Sequence, residues 1–133
     1  MTFHNGCEEY AQQMHRMIQL VESDMPTFVA QQGNRALAKT KKRTPVDMGL
    51  LINGWRLSKV YRSGDKWRIT MFNNTEYALY VEYGHRLRIG GKTKGRVKGR
   101  FMMQTSVKET ENDLPKHWLT FMRSKWKEAG KFD

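Results

Sequence analysis

The sequence predicts an α+β domain: a long N-terminal helix, a small antiparallel β-sheet with a hairpin, a basic glycine-rich loop, and a long C-terminal helix packed on the sheet. Three observations carry that expectation. Apolar residues recur at three-to-four spacing towards both ends of the chain, they alternate with polar residues in the middle, and a stretch with four glycines and no acid follows. At 133 residues and 15.7 kDa the chain has room for one core, so it reads as a single domain, 1–133.

Tyr10, Met14, Met17, Ile18, Val21, Met25, Phe28, Val29 and Leu37 define one helical stripe, so residues 7–42 read as the first helix. Pro26 lies inside it with the capping residues Ser23 and Asp24 just upstream, which predicts a kink, or a break and restart. Its basic tail, Arg35, Lys39, Lys41, Lys42 and Arg43, suits the negative end of a helix dipole. The block from Thr44 to Gly49 then has turn residues: Pro45 stops the helix, Asp47 can close an Asx-type turn, and Gly49 can take positive φ.

Next, Trp55, Leu57 and Tyr61 alternate with Arg56, Ser58 and Arg62, and after Ser63-Gly64-Asp65 the residues Trp67, Ile69 and Met71 alternate again. This is an antiparallel β-hairpin over 54–72. Such a ribbon is marginal alone, so a third strand is expected from residues near 97–102 or from a neighbouring subunit. Tyr77, Tyr80 and Val81 indicate a short helix or wide turn over 75–83. Beyond the basic stretch, Met103, Val107, Leu114, Trp118, Phe121, Met122 and Trp126 define a helix over 101–129, with a bend expected at Pro115. Both amphipathic helices are expected to bury their stripes against one face of the sheet.

Charge sharpens the reading. The formal net charge is +11 with a pI near 10.0, which makes a polyanionic partner a reasonable prior. By segment, residues 1–25 carry −3, 26–62 carry +7, 63–85 carry −1, 86–100 carry +7 and 101–133 carry +1. The 86–100 stretch holds Arg86, Arg88, Lys92, Lys94, Arg96, Lys98 and Arg100, and its glycines and self-repulsion predict a mobile loop.

Chemistry-bearing motifs are sparse. Gly91-Lys92-Thr93 resembles the end of a phosphate-binding loop, but Arg86 stands where that motif needs glycine, and no apolar strand or helix flanks it. The single cysteine, Cys7, leaves no disulfide framework or multi-cysteine metal site, and His4, His15, His85 and His117 form no metal-ligand spacing. No catalytic residue, metal site or cofactor is expected, and no apolar run approaches the ~20 residues that span a bilayer. The absence of a signal-peptide layout makes the cytosol the default address. A nuclease using His85 as base with Arg86 or Arg88 on a phosphate lacks a second acid, base or metal set.

Three blocks occur in order: Thr44-Pro45-Val46-Asp47-Met48-Gly49-Leu50-Leu51, then Asn73 to His85 with Tyr77, Tyr80, Glu82 and Gly84, then Gly99-Arg100-Phe101-Met102. As an ordered set over roughly residues 35–108 they resemble the neck and tail-completion proteins of long-tailed bacteriophages. Met48, Ile52, Leu79 and the Gly99-Arg100 pair depart from residues common in that family.

The resemblance implies a non-enzymatic virion protein, assembled in the host cytoplasm, that joins the DNA-filled head to the tail. Its implied partners are connector or head-closure proteins, tail-terminator or tail-tube proteins, and other copies in a ring, six favoured, from a chain that can be monomeric in solution. Seven positive charges per copy would then meet double-stranded genomic DNA through sequence-independent phosphate contacts, or grip a neighbouring ring. The alternative from charge alone is a stand-alone, non-specific DNA-binding protein.

Overall fold

Two long helices form the body. The computed structural model describes residues 3–131, with side chains at 6–87 and 90–131. In order the elements are α1 (Phe3–Arg43), α2 (Gly49–Gly54), β1 (Trp55–Leu57), β2 (Tyr61–Ser63), β3 (Lys66–Arg68), β4 (Met71–Asn73), α3 (Ala78–Tyr83), β5 (Gly84–Ile89), β6 (Lys92–Lys98) and α4 (Met102–Ala129).

α1 and α4 lie antiparallel, and their contacts can be followed from end to end. Tyr10 meets the ring of Trp126 at 5.5 Å between centroids, and the Gln13 amide donates to the Trp126 carbonyl at 2.9 Å. Asp24 pairs with Lys125, and Phe28 sits against Trp118 and Phe121 with centroids 5.3 and 4.8 Å away. Lys39 reaches Asp113 at 3.3 Å, while Arg43 pairs with Glu109 and donates to Ser106 Oγ at 3.0 Å.

At that last end the buried residues are small: Ala36, Thr40, Ser106 and Thr110. Each hydroxyl donates to a carbonyl one turn back, Thr40 to Ala36 at 2.8 Å, Ser106 to Met102 at 2.6 Å and Thr110 to Ser106 at 2.9 Å. The polar groups are therefore satisfied in a tight interface.

This packing corrects two expectations. The helices bury their stripes chiefly on one another, because their rings and small residues interlock, and the sheet residues meet α4 at its first turn, Met102 and Met103. Helix α1 also continues through Pro26 without the break and restart that was one of the two outcomes expected there, and α4 continues through Pro115. Asp24 is no cap: its carboxylate crosses to Lys125, and packing onto α4 supports the turn that the proline weakens.

The 54–72 hairpin forms, but with a slip in its middle. Trp55 pairs with Asn73 and Leu57 with Met71, whereas farther out Tyr61 pairs with Arg68 and Ser63 with Lys66. Residues 58–60 thus oppose only 69 and 70, a bulge held by Ser58 N–H donating to the Thr70 carbonyl at 2.8 Å. One extra residue exchanges the faces of β2. Arg62, not Tyr61, now opposes Trp67, with its guanidinium carbon 5.4 Å from the ring centroid, while Tyr61 hydrogen-bonds Thr70 at 3.1 Å.

Where the end of α1, α2, β1, β4, α3 and the start of α4 converge, Leu51, Trp55, Ala78 and Met102 form the buried core, flanked by Leu37, Met48, Met71, Tyr77, Val81 and Met103. No third strand from 97–102 joins the ribbon, since β6 pairs with β5 instead, and each described sheet is two-stranded.

Candidate functional site

The first motif divides into scaffold and surface. Thr44 is buried, donating to the Thr40 carbonyl at 2.8 Å and accepting from Trp55 Nε1–H at 2.9 Å, so it ties α1 to the core indole. The Pro45 carbonyl accepts from Met48 N–H at 3.0 Å, closing a turn. The expected roles of the next two residues are corrected. Gly49 is the first residue of α2 and does not take positive φ, and Asp47 is exposed with no hydrogen bond among the described residues. The helix starts directly, Met48 carbonyl accepting from Ile52 N–H at 3.0 Å, so no Asx turn or left-handed residue is required. Val46 and Leu50 beside them are 92% and 76% exposed.

The second and third motifs interlock. Glu82 is only 3% exposed, and its carboxylate accepts from Met103 N–H at 2.9 and 3.0 Å and from Gln104 N–H at 3.4 Å. Helix α4 has no side-chain cap of its own, because Phe101 occupies the N-cap position in left-handed backbone (φ 47°, ψ 44°). Glu82 supplies that cap from another element, a negative charge at the positive end of the helix.

Around this contact the Val81 and Glu82 carbonyls accept from Arg100 and Phe101 N–H at 2.8 and 3.0 Å. Gly84 has φ 83°, and a side chain there would overlap the Val97 carbonyl, while one at Gly99 would come within 2.6 Å of the Glu82 oxygen. Tyr77 packs against the core, Tyr83 meets Phe101 edge-on at 6.2 Å, and Tyr80 meets His85 at 5.9 Å. Tyr77, Tyr80, Glu82, Gly84 and Phe101 are thus brought together as the root from which the next segment grows.

That segment is a β-hairpin, not the loop expected over 86–100. Gly90 and Gly91, with φ of 60° and 78°, make a two-residue turn that needs positive φ at both positions, between β5 and β6. Arg86 pairs with Arg96 and Gly84 with Lys98 on one face, while His85 pairs with Val97 and Leu87 with Gly95 on the other. Past Leu87 the register shifts so that Arg88 pairs with Thr93, leaving Lys94 as the extra residue. Every residue of β6 is exposed, and the hairpin meets the body mainly through α3.

Among the described side chains, no cation of this hairpin makes an ion pair; Arg96 reaches only the Tyr83 carbonyl, at 3.5 Å. The Arg88 side chain lies outside the described residues. Arg86 and Arg96 directly opposite one another repel, so the face gains from an anion brought to it. Lys98 and Arg100 also line an open cleft of about 580 Å³ with Arg43. The site combines cations from two elements at one end of the molecule.

His85 has the Tyr80 ring for a neighbour, while both oxygens of Glu82 are engaged by α4. Among the described residues no three His, Cys, Asp or Glu side chains gather as metal ligands, and no helix is long and apolar enough to cross a membrane. The signal for the hairpin was present: cations at every second position on both sides of Gly90-Gly91 are a strand period around a turn.

Residues 8–84 match the family described as "Bacteriophage HK97-gp10, putative tail-component". No curated protein and no solved structure matches the chain. The matched stretch takes in α1 from Glu8 onward, the ribbon and the Glu82–Gly84 root, and stops where the basic hairpin begins. The chain belongs to the HK97-gp10-like family of bacteriophage tail components.

Proposed function

We propose that this protein is a non-enzymatic structural protein of the head-tail junction, present as a neck or tail-completion ring, and that its basic hairpin contacts genomic DNA passing through that ring. Family membership supports the virion role. The observation that carries the finer reading is the projecting hairpin, whose five described cations form no ion pair and include two arginines in register. A closed ring multiplies this charge by the copy number, which we favour as six from the resemblance. Contacts to a moving duplex must be to phosphate, since base-specific bonds would hold it in place. Connector and tail-terminator or tail-tube proteins are the remaining partners on this reading.

The test is a phage lacking the gene, complemented with wild-type or hairpin-neutralised protein and viewed by electron microscopy. Filled heads beside separate tails are expected in the null and in the neutralised complement; normal joined particles in the null overturn the junction role. Tight, steeply salt-dependent duplex binding by the isolated monomer, with normal particles in the null, would instead favour the stand-alone DNA-binding reading.

A further inference from the structure

The molecule carries more surface than its mass requires. Its accessible area is 10102 Å², whereas a compact monomer of 15.7 kDa exposes about 7,300 Å². The excess of about 2,800 Å² falls in the range that permanent protein interfaces bury.

Two uncovered apolar surfaces contribute to it, at opposite ends of α1. One is the non-basic face of the β5–β6 hairpin, where Leu87 and Val97 are 43% and 42% exposed, continued at its root by Tyr80 at 57%. The other is a stripe on the N-terminal half of α1, where Tyr10, Met14 and Ile18, spaced by four, are 60%, 38% and 48% exposed.

Their surroundings have opposite charge. Glu8, Glu9 and Glu22 are exposed near the stripe, and Lys92 and Lys94 are exposed near the hairpin tip. Apolar contact ringed by such pairs would be both driven and oriented. Within one chain the surfaces cannot meet: the hairpin root lies by Arg43, about 50 Å along α1 from Glu8.

We infer that the Leu87/Val97 face of the hairpin docks on the Tyr10-Met14-Ile18 stripe of a second copy of this chain. The contact joins different patches on the two copies, so it repeats from subunit to subunit and closes as a ring when the rotation allows. This deepens the junction reading and rests on its assumption that the chain assembles with itself. Arg86, Arg96 and Lys98 lie on the opposite hairpin face and stay free for an anion.

Cys7, exposed near the stripe and the chain's single cysteine, provides the test. Full-length wild-type protein, with its thiol at Cys7, is mixed with a size-tagged C7S/V97C chain and treated with a short bismaleimide. Mixed dimers are expected to exceed either homodimer several-fold, and to fall several-fold when Glu8 and Glu9 are changed to Lys or salt is raised. A C7S/L87C chain repeats the test should Val97→Cys disturb the hairpin, with circular dichroism confirming folded protein. Homodimers only, or no cross-link from either folded variant, overturn the contact. Either result is separate from the particle phenotype of the null phage, which tests the junction role itself.

Discussion

The helical body and the basic hairpin solve opposite problems with similar residues. In the body, Lys39, Arg43 and Lys125 each meet a carboxylate across the α1–α4 interface, and the buried hydroxyls of Thr40, Ser106 and Thr110 all find carbonyls. In the hairpin the described cations meet no acid, and two of them oppose each other in register. Satisfied charges are what a fold needs from its sequence. Unsatisfied charges add repulsion to the isolated chain, so their use lies in what they bind. The Glu82 contact is the seam between the two regions.

Breaking the body should have the largest effect. Trp55→Ala removes a core indole and its hydrogen bond to Thr44, and should cost about 4 kcal/mol in denaturant unfolding. Cutting the seam comes next. Glu82→Ala leaves the first N–H groups of α4 without their cap and should cost about 2 kcal/mol, with Glu82→Gln retaining part of that loss. Hydrogen exchange at Met103 and Gln104 would accelerate in Glu82→Ala if the cap acts as described.

A smaller effect concerns alkaline stability. The hydrogen bond that Lys125 donates to the Asp24 carboxylate is the main cause holding its ammonium above its ordinary value of 10.5, against desolvation that lowers it. Because the folded value is raised, the stabilisation is complete below pH 10.5 and is lost as pH rises through the shifted value. Lys125→Met should therefore lose stability at neutral pH and show less further loss at high pH, measured by thermal unfolding across that range. Lys39→Ala removes a half-exposed pair and should cost about 0.5 kcal/mol.

Much of this division is legible in the sequence. Helical stripes located both long helices, and alternation located the first ribbon, because apolar spacing reports directly on which face is covered. The mutual packing of the helices was hidden, since Ala36, Thr40, Ser106 and Thr110 look like ordinary helix-surface residues until a partner approaches them. The bulge at 58–60 was equally hidden: Tyr61 keeps perfect alternation with Leu57 in sequence, and only the register across the ribbon moves it.

The site shows the same pattern. Its cations are evident in the sequence, but four glycines and like charge mask the period-two pattern of 86–100 that marks two strands. The structural uses of Glu82, Gly84 and Gly99 depend on two segments meeting, which spacing along one chain does not encode. Conversely, the Asp47 side chain and the conformational freedom of Gly49 look like turn devices in the sequence, yet among the described residues the Asp47 side chain makes no hydrogen bond and Gly49 takes no positive φ.

The central claim is that the hairpin serves assembly with partners and not the fold of its own chain. Replacing Lys92, Lys94, Arg96 and Lys98 together by Gln tests it, with the melting temperature and the yield of joined phage particles measured on the same variant. The expected result is a melting temperature within a few degrees of wild type, or slightly above it through relief of repulsion, and loss of joined particles. A collapse in melting temperature, or joined particles at wild-type yield, would contradict it.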